Sequence, residues 1–279
     1  MARDAFSKTL AELSSASPFP FALQEKRGLL LNLCADSDLL TQTDPANANA
    51  FEGWIRGKLE STGADFAVGG YGEDRTLYRI SDLFGAASEE PRTVHLGVDF
   101  WLPSGTPVHA VLPGVVHSTR DNKAFGDYGP TVIMMHELGG HRFYTLYGHL
   151  ARPSLIGSPP GRRVEAGEQI GWVGETHENV GWPPHLHFQV IRDLEGREGD
   201  YPGVCKASER TVWLARCPDP NLLFRLDLLK PRRKRTSSKL ASKNLPPKRG
   251  AKRGVERGAD RGVKGPVRVA PIRAGGKRV

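Results

Sequence analysis

The sequence predicts a mainly β protein, an antiparallel sandwich or partly open barrel, with a helical region before it and a basic tail after it. Three observations carry this reading. From His95 onward, short segments rich in β-branched and aromatic residues recur between Gly/Pro turns. No long helical period separates them, so antiparallel strands are expected rather than βαβ units. Charge is also uneven along the chain. Residues 230–279 hold 18 of the 39 Lys/Arg and 2 of the 31 Asp/Glu, leaving 21 and 29 for an acidic body.

Residues 1–64 read as helical. "AFSKTLAEL" and "FALQEKRGLLLNL" combine helix formers with roughly helical apolar spacing. In "NAFEGWIRGKLESTG", Phe51, Trp54, Ile55 and Leu59 fall on one helical face before Gly63 ends the pattern. Residues 65–229 form the expected β domain, with its core at 89–192. "DFAVGGYGEDRTLYRI" reads as two short strands about a Gly-rich turn, followed by "VHLGVDFWL", "TPVHAVL", "GVVHSTR", "TVIMMHE", "RFYTLYGHL", "QIGWVG" and "HLHFQVI". "SERTVWLA" and "PNLLFRLDLL" read as helical closing segments.

The tail from 230 has no aromatic residue and few large apolar ones. Such a composition predicts disorder, because it buries too little surface to offset its ordering entropy. Its charge suits contact with a polyanion such as nucleic acid or anionic lipid. No apolar run approaches the roughly 18–20 residues of a transmembrane helix. The N-terminus lacks the basic and apolar regions of a secretory leader, so a cytoplasmic location is expected. Cys34, Cys205 and Cys217, odd in number and widely spaced, do not suggest a disulfide framework.

All nine histidines lie between residues 95 and 187. In a strand, His95, Gly97 and Asp99 of "HLGVD" share one face, with Gly97 leaving room between an imidazole and a carboxylate. Both side chains are good zinc ligands, and His187 of "HLHF" could supply a third. Two His and one carboxylate leave a coordination position open, as catalytic zinc sites do. His185 shares the His187 face beside that position, and His149 of "YGHL" could enter from another side. His109, His117, His136, His141 and His177 are expected to be ordinary hydrogen-bonded core histidines.

The order of H-x₃-D, Y-x-H-L and P-H-L-H-F resembles the lysostaphin-type zinc metallopeptidases, peptidoglycan endopeptidases with a duplicated hybrid motif β fold. "HLGVDFWLPSGTPVHAVLPGVV", "YGPTVIMMHELGGHRFYTLYGHL" and "VEAGEQIGWVGETHENVGWPPHLHFQVI" carry the resemblance. It implies one zinc ion per chain on His95, Asp99 and His187, with His149 and His185 as catalytic non-ligand histidines. Family members often place an oxyanion-stabilising tyrosine shortly before the first metal histidine. Here the nearest upstream tyrosine is Tyr78, and Arg92 is the replacement considered. The segment from Asn179 to Leu223 also resembles the form fused to class-III aminotransferases and small-molecule kinases. Three functions are therefore weighed. The first is peptidoglycan endopeptidase. The second is an intracellular zinc hydrolase of a small amide or amino-acid conjugate. The third is a non-catalytic zinc-stabilised module with a polyanion-binding tail.

Overall fold

The computed structural model describes residues 4–34, 37–75, 77–78 and 90–230. The basic tail beyond 230, with its expected disorder, lies outside the described residues. Twelve strands are described. They are β1 (Gly28–Leu31), β2 (Phe66–Gly69), β3 (Arg92–His95), β4 (Val98–Trp101), β5 (Pro107–His109), β6 (Gly114–Asn122), β7 (Gly129–Leu138), β8 (His141–Gly148), β9 (Arg163–Val164), β10 (Gln169–Trp172), β11 (His185–Ile191) and β12 (Val204–Lys206). Eight form one sheet in the order β1-β2-β4-β11-β8-β7-β6-β9, while β5–β10 and β12–β3 make separate two-stranded ribbons. Every pair in the large sheet is antiparallel except β1–β2.

That exception corrects one expectation. "FALQEKRGLLLNL" is not a helix. It makes a 3₁₀ turn at Leu23–Glu25 and then strand β1, paired in parallel with β2. A short apolar run such as "GLLL" is ambiguous between helix and strand, and the unpaired edge of β2 decides it here. Parallel neighbours need a long connection, and α2 (Leu39–Gln42) and α3 (Ala48–Thr62) supply it. The other N-terminal helices form as expected. In α1 (Ala5–Glu12) the Asp4 carboxylate accepts from the Ser7 amide, and α3 ends on Gly63 at φ 64°. Of the two strands read around "GGYG", β2 is the one present among the described residues. Asp74 makes an isolated bridge to Val94, and Thr76, Arg79 and Ile80 lie outside the described residues.

The large sheet buries Phe66, Phe100, Tyr147, Leu186, Phe188 and Val190 on one face, where Phe6 and Leu10 of α1 join them. In β11 those core side chains alternate with His185, His187 and Gln189, which occupy the other face. The C-terminal helices α5 (Arg210–Arg216) and α6 (Asn221–Phe224) follow α4 (Pro153–Gly157) in the chain. Leu223 and Phe224 of α6 complete the core under the site-bearing strands.

Candidate metal centre

The site is assembled on the face of β4 and β11 opposite the core. Antiparallel pairing sets His187 across from Asp99 and His185 across from Trp101. On the other flank His187 pairs with Gly148, so His149 follows at the end of β8. His95 arrives differently from the expectation of one continuous strand. The chain breaks at Leu96–Gly97, and β3 belongs to the β12 ribbon rather than the large sheet. The break turns His95 onto Asp99. Gly97 makes this packing feasible, since a Cβ there would sit 2.6 Å from the His187 ring.

Three ligating atoms converge. His95 Nε2 lies 3.0 Å from His187 Nδ1 and 3.2 Å from Asp99 Oδ1, and His187 Nδ1 lies 2.9 Å from the same oxygen. All three residues are buried, and they form a potential metal-holding group. The donor chemistry fits a cation. His95 Nδ1 donates to the Gly70 carbonyl at 2.9 Å, leaving Nε2 with its lone pair inward. Gln189 Nε2 donates to Pro202 O at 3.0 Å, which orients its Oε1 to accept from His187 Nε2 at 3.0 Å and leaves His187 Nδ1 as a lone pair. Two lone pairs and a carboxylate oxygen therefore face one another. Tetrahedral zinc, with bonds of about 2.0–2.1 Å, spaces its ligands about 3.3 Å apart, close to these separations.

A buried guanidinium supports the carboxylate. Arg75, 1% exposed, donates from Nη1 to Asp99 Oδ2 at 2.5 Å and to the Tyr78 hydroxyl at 3.0 Å, and from Nε to Glu73 at 3.0 Å. It therefore occupies one Asp99 oxygen and leaves Oδ1 for the metal. Burial alone would push the Asp99 carboxyl upward, but His95 and Arg75 beside it outweigh burial and hold it well below the usual carboxylate range. Gly69 gives Arg75 its room, for a Cβ there would lie 2.5 Å from Nη2. Burial pushes the His95 imidazole down to about 4, and the Arg75 charge adds to this. The ring is neutral at pH 7, as a ligand must be.

His149 and His185 stand beside the triangle with their rings 4.0 Å apart. Each has its Nδ1 committed as a donor. His185 Nδ1 donates to Pro183 O at 2.7 Å. His149 Nδ1 donates to Asn179 Oδ1, and Asn179 Nδ2 donates to the same Pro183 carbonyl at 3.0 Å. One carbonyl thus orders both rings and leaves each Nε2 as a proton acceptor. His149 has φ 62°, a left-handed backbone uncommon for a non-glycine residue and a mark of functional sites. Burial pushes His185 down to about 4. Burial, with His185 and His187 adding, pushes His149 well below its ordinary value.

These groups open into a cavity of about 210 Å³. Leu77, Tyr78, Trp101 and Trp182 line it, together with Arg92, Asp127, Arg197 and Asp200. Arg92 is therefore at the cavity, near Asp127, whose carboxyl burial pushes upward despite the opposing charge of Arg92. Tyr78 also reaches the site, with its ring 6.4 Å from that of His95. Reading the sequence missed Arg75, Asn179 and Gln189. Only Gln189 carried a local signal, as the next residue on the His185–His187 face.

Converging lone pairs, an anchored carboxylate and two acceptor imidazoles at a cavity define a hydrolytic type of metal centre on a β scaffold. Residues 93–199 match Peptidase family M23, and the chain carries a domain of that family. Over 118 residues the chain is 36% identical to the peptidoglycan DD-endopeptidase ShyA of Vibrio cholerae, covering 41% of this chain and 25% of that protein. It is 37% identical over 126 residues to the DD-carboxypeptidase/endopeptidase Mpg of Neisseria meningitidis, covering 44% and 26%. The chain thus spans about a quarter of the length of these relatives. Among solved structures, the catalytic domain of lysostaphin from Staphylococcus simulans aligns at 23% identity and TM-score 0.34, over 48% of this chain and 81% of that one.

Proposed function

We infer that this chain is a zinc-dependent metallopeptidase that hydrolyses peptide bonds of peptidoglycan. The observation that carries the reading is the His95–Asp99–His187 triangle with the Nε2 acceptors of His149 and His185 beside it. The names of the similar proteins support the substrate class. His95, Asp99 and His187 would hold one zinc ion. When bound, zinc supplies Lewis acidity, bringing water within reach of deprotonation near neutral pH and polarising a carbonyl.

The chain's own residues do the rest. A neutral imidazole at His149 or His185 accepts the proton of the attacking water at Nε2 and returns it to the leaving amine. Its partner, ordered through the same Pro183 carbonyl, presents a second acceptor nitrogen beside it, and Arg92 on the cavity wall supplies positive charge for the developing oxyanion. Burial around the rings keeps both neutral, and so able to accept, at pH 7. The test is digestion of purified peptidoglycan and of a panel of small amides, each with and without chelator. Chelator-sensitive release of muropeptides is expected. Turnover of small amides alone would move the substrate to a free amide conjugate, and turnover of neither would leave a binding module.

A further inference from the structure

We propose that Trp101 is a substrate-binding residue of this centre, its indole N–H donating to a backbone carbonyl of the bound peptide. The inference rests on the peptide-hydrolase reading above and names a contact that reading does not use. Trp101 follows Asp99 by two residues in β4, so both occupy one face, and it pairs directly with His185. Its ring stacks on the His185 imidazole with centroids 4.2 Å apart and planes 22° from parallel. Phe51 of α3 packs against it at 5.2 Å. The ring is thus clamped between the site and the helix.

The residue is 3% exposed and forms part of the cavity wall. Its Nε1 is buried and has no hydrogen-bond partner among the described residues. Such a group is exceptional, because buried polar atoms almost always find partners. The surrounding wall offers little. The Leu77 side chain has no acceptor, the Trp182 side chain brings only another donor, and the Tyr78 hydroxyl receives Arg75. An indole nitrogen can donate only, so the partner that fits it is an acceptor. Among the groups along a peptide chain, the amide carbonyl fits this need, and an ammonium or hydrocarbon does not. The stacking on His185 places that carbonyl next to the proton-accepting nitrogens. The indole does not ionise near neutral pH, so its contribution belongs to binding.

The test follows the indole itself. Full-length zinc-loaded protein with ¹⁵N-labelled tryptophan is titrated with blocked dipeptide amides such as N-acetylglycylglycinamide, and hydrolysis of these amides and of purified peptidoglycan is measured with the same protein. Trp101→Phe identifies the resonance and keeps an aromatic ring against His185. The Trp101 N–H resonance is expected to move downfield and saturate. Trp101→Phe should raise KM roughly 3- to 10-fold with kcat nearly unchanged, the effect of losing one neutral hydrogen bond made equally in ground and transition states. Hydrolysis with a static Trp101 resonance, or with KM unaltered in Trp101→Phe, overturns the inference and leaves the peptidase reading intact. A saturating shift without hydrolysis supports the contact and removes the peptidase reading. Neither shift nor hydrolysis across the panel overturns both.

Discussion

At the scale of the residue, the site divides side chains by which nitrogen is already committed. His95 and His187 spend the outer nitrogen on Gly70 and Gln189 and turn the other inward, whereas His149 and His185 spend Nδ1 on Asn179 and Pro183. His149→Ala and His185→Ala are therefore expected to retain zinc while losing about 10²- to 10⁴-fold in turnover, the usual contribution of a general acid–base group. Metal analysis beside rate measurement checks this, and loss of zinc from either variant would move that histidine into the ligand set. Gln189→Leu should behave in the opposite way. Without its Oε1, the His187 ring loses the partner that sets its tautomer. Zinc affinity should then fall about 10- to 100-fold, read by competition with a chromogenic chelator.

At the scale of the element, the centre depends on one break in the chain. β3 and β4 would be a single strand if Leu96–Gly97 were regular, and His95 would then stay with its neighbours in one sheet. Gly97→Ala places a methyl 2.6 Å from the His187 ring and 2.7 Å from the Phe188 carbonyl, a backbone atom that cannot swing aside. The variant should keep its far-ultraviolet circular dichroism yet bind zinc at least about tenfold more weakly, and wild-type zinc affinity would refute the role given to the break. The ligands themselves were legible in the sequence because H-x₃-D and H-x-H stand close together along the chain. Arg75 was not, because its link to Asp99 depends on how the loop after β2 folds back, and no local spacing encodes that. β1 was misread for a related reason. "GLLL" has no strong period of its own, and its strand character comes from β2, far along the sequence.

At the scale of the whole molecule, two charge effects are open to measurement. The tail carries 18 basic and 2 acidic residues, so any attachment of the protein to DNA or anionic vesicles should weaken steeply with salt and disappear on deletion of 230–279. Sedimentation with each polyanion at rising salt checks this. The second effect is acid sensitivity of the fold, and His136 isolates it from the metal site. This residue of β7 is fully buried, donates from Nδ1 to Pro113 O at 2.8 Å and accepts at Nε2 from the Thr145 hydroxyl at 2.8 Å. Burial pushes its pKa from 6.5 down to about 4. Between those values the unfolded chain binds a proton that the folded chain refuses, so stability is present above pH 6.5 and drains away as pH falls toward 4. Below about 4 the folded state takes the proton too, and the loss from this residue ends. From pH 7 to pH 5 the contribution is roughly 2 kcal/mol. Urea unfolding of the wild type and of His136→Gln across that range should therefore show two curves that converge as the solution is acidified, with the wild type losing more. Parallel curves would mean that the imidazole is protonated inside the fold and that the Thr145 hydroxyl has turned to accept from it.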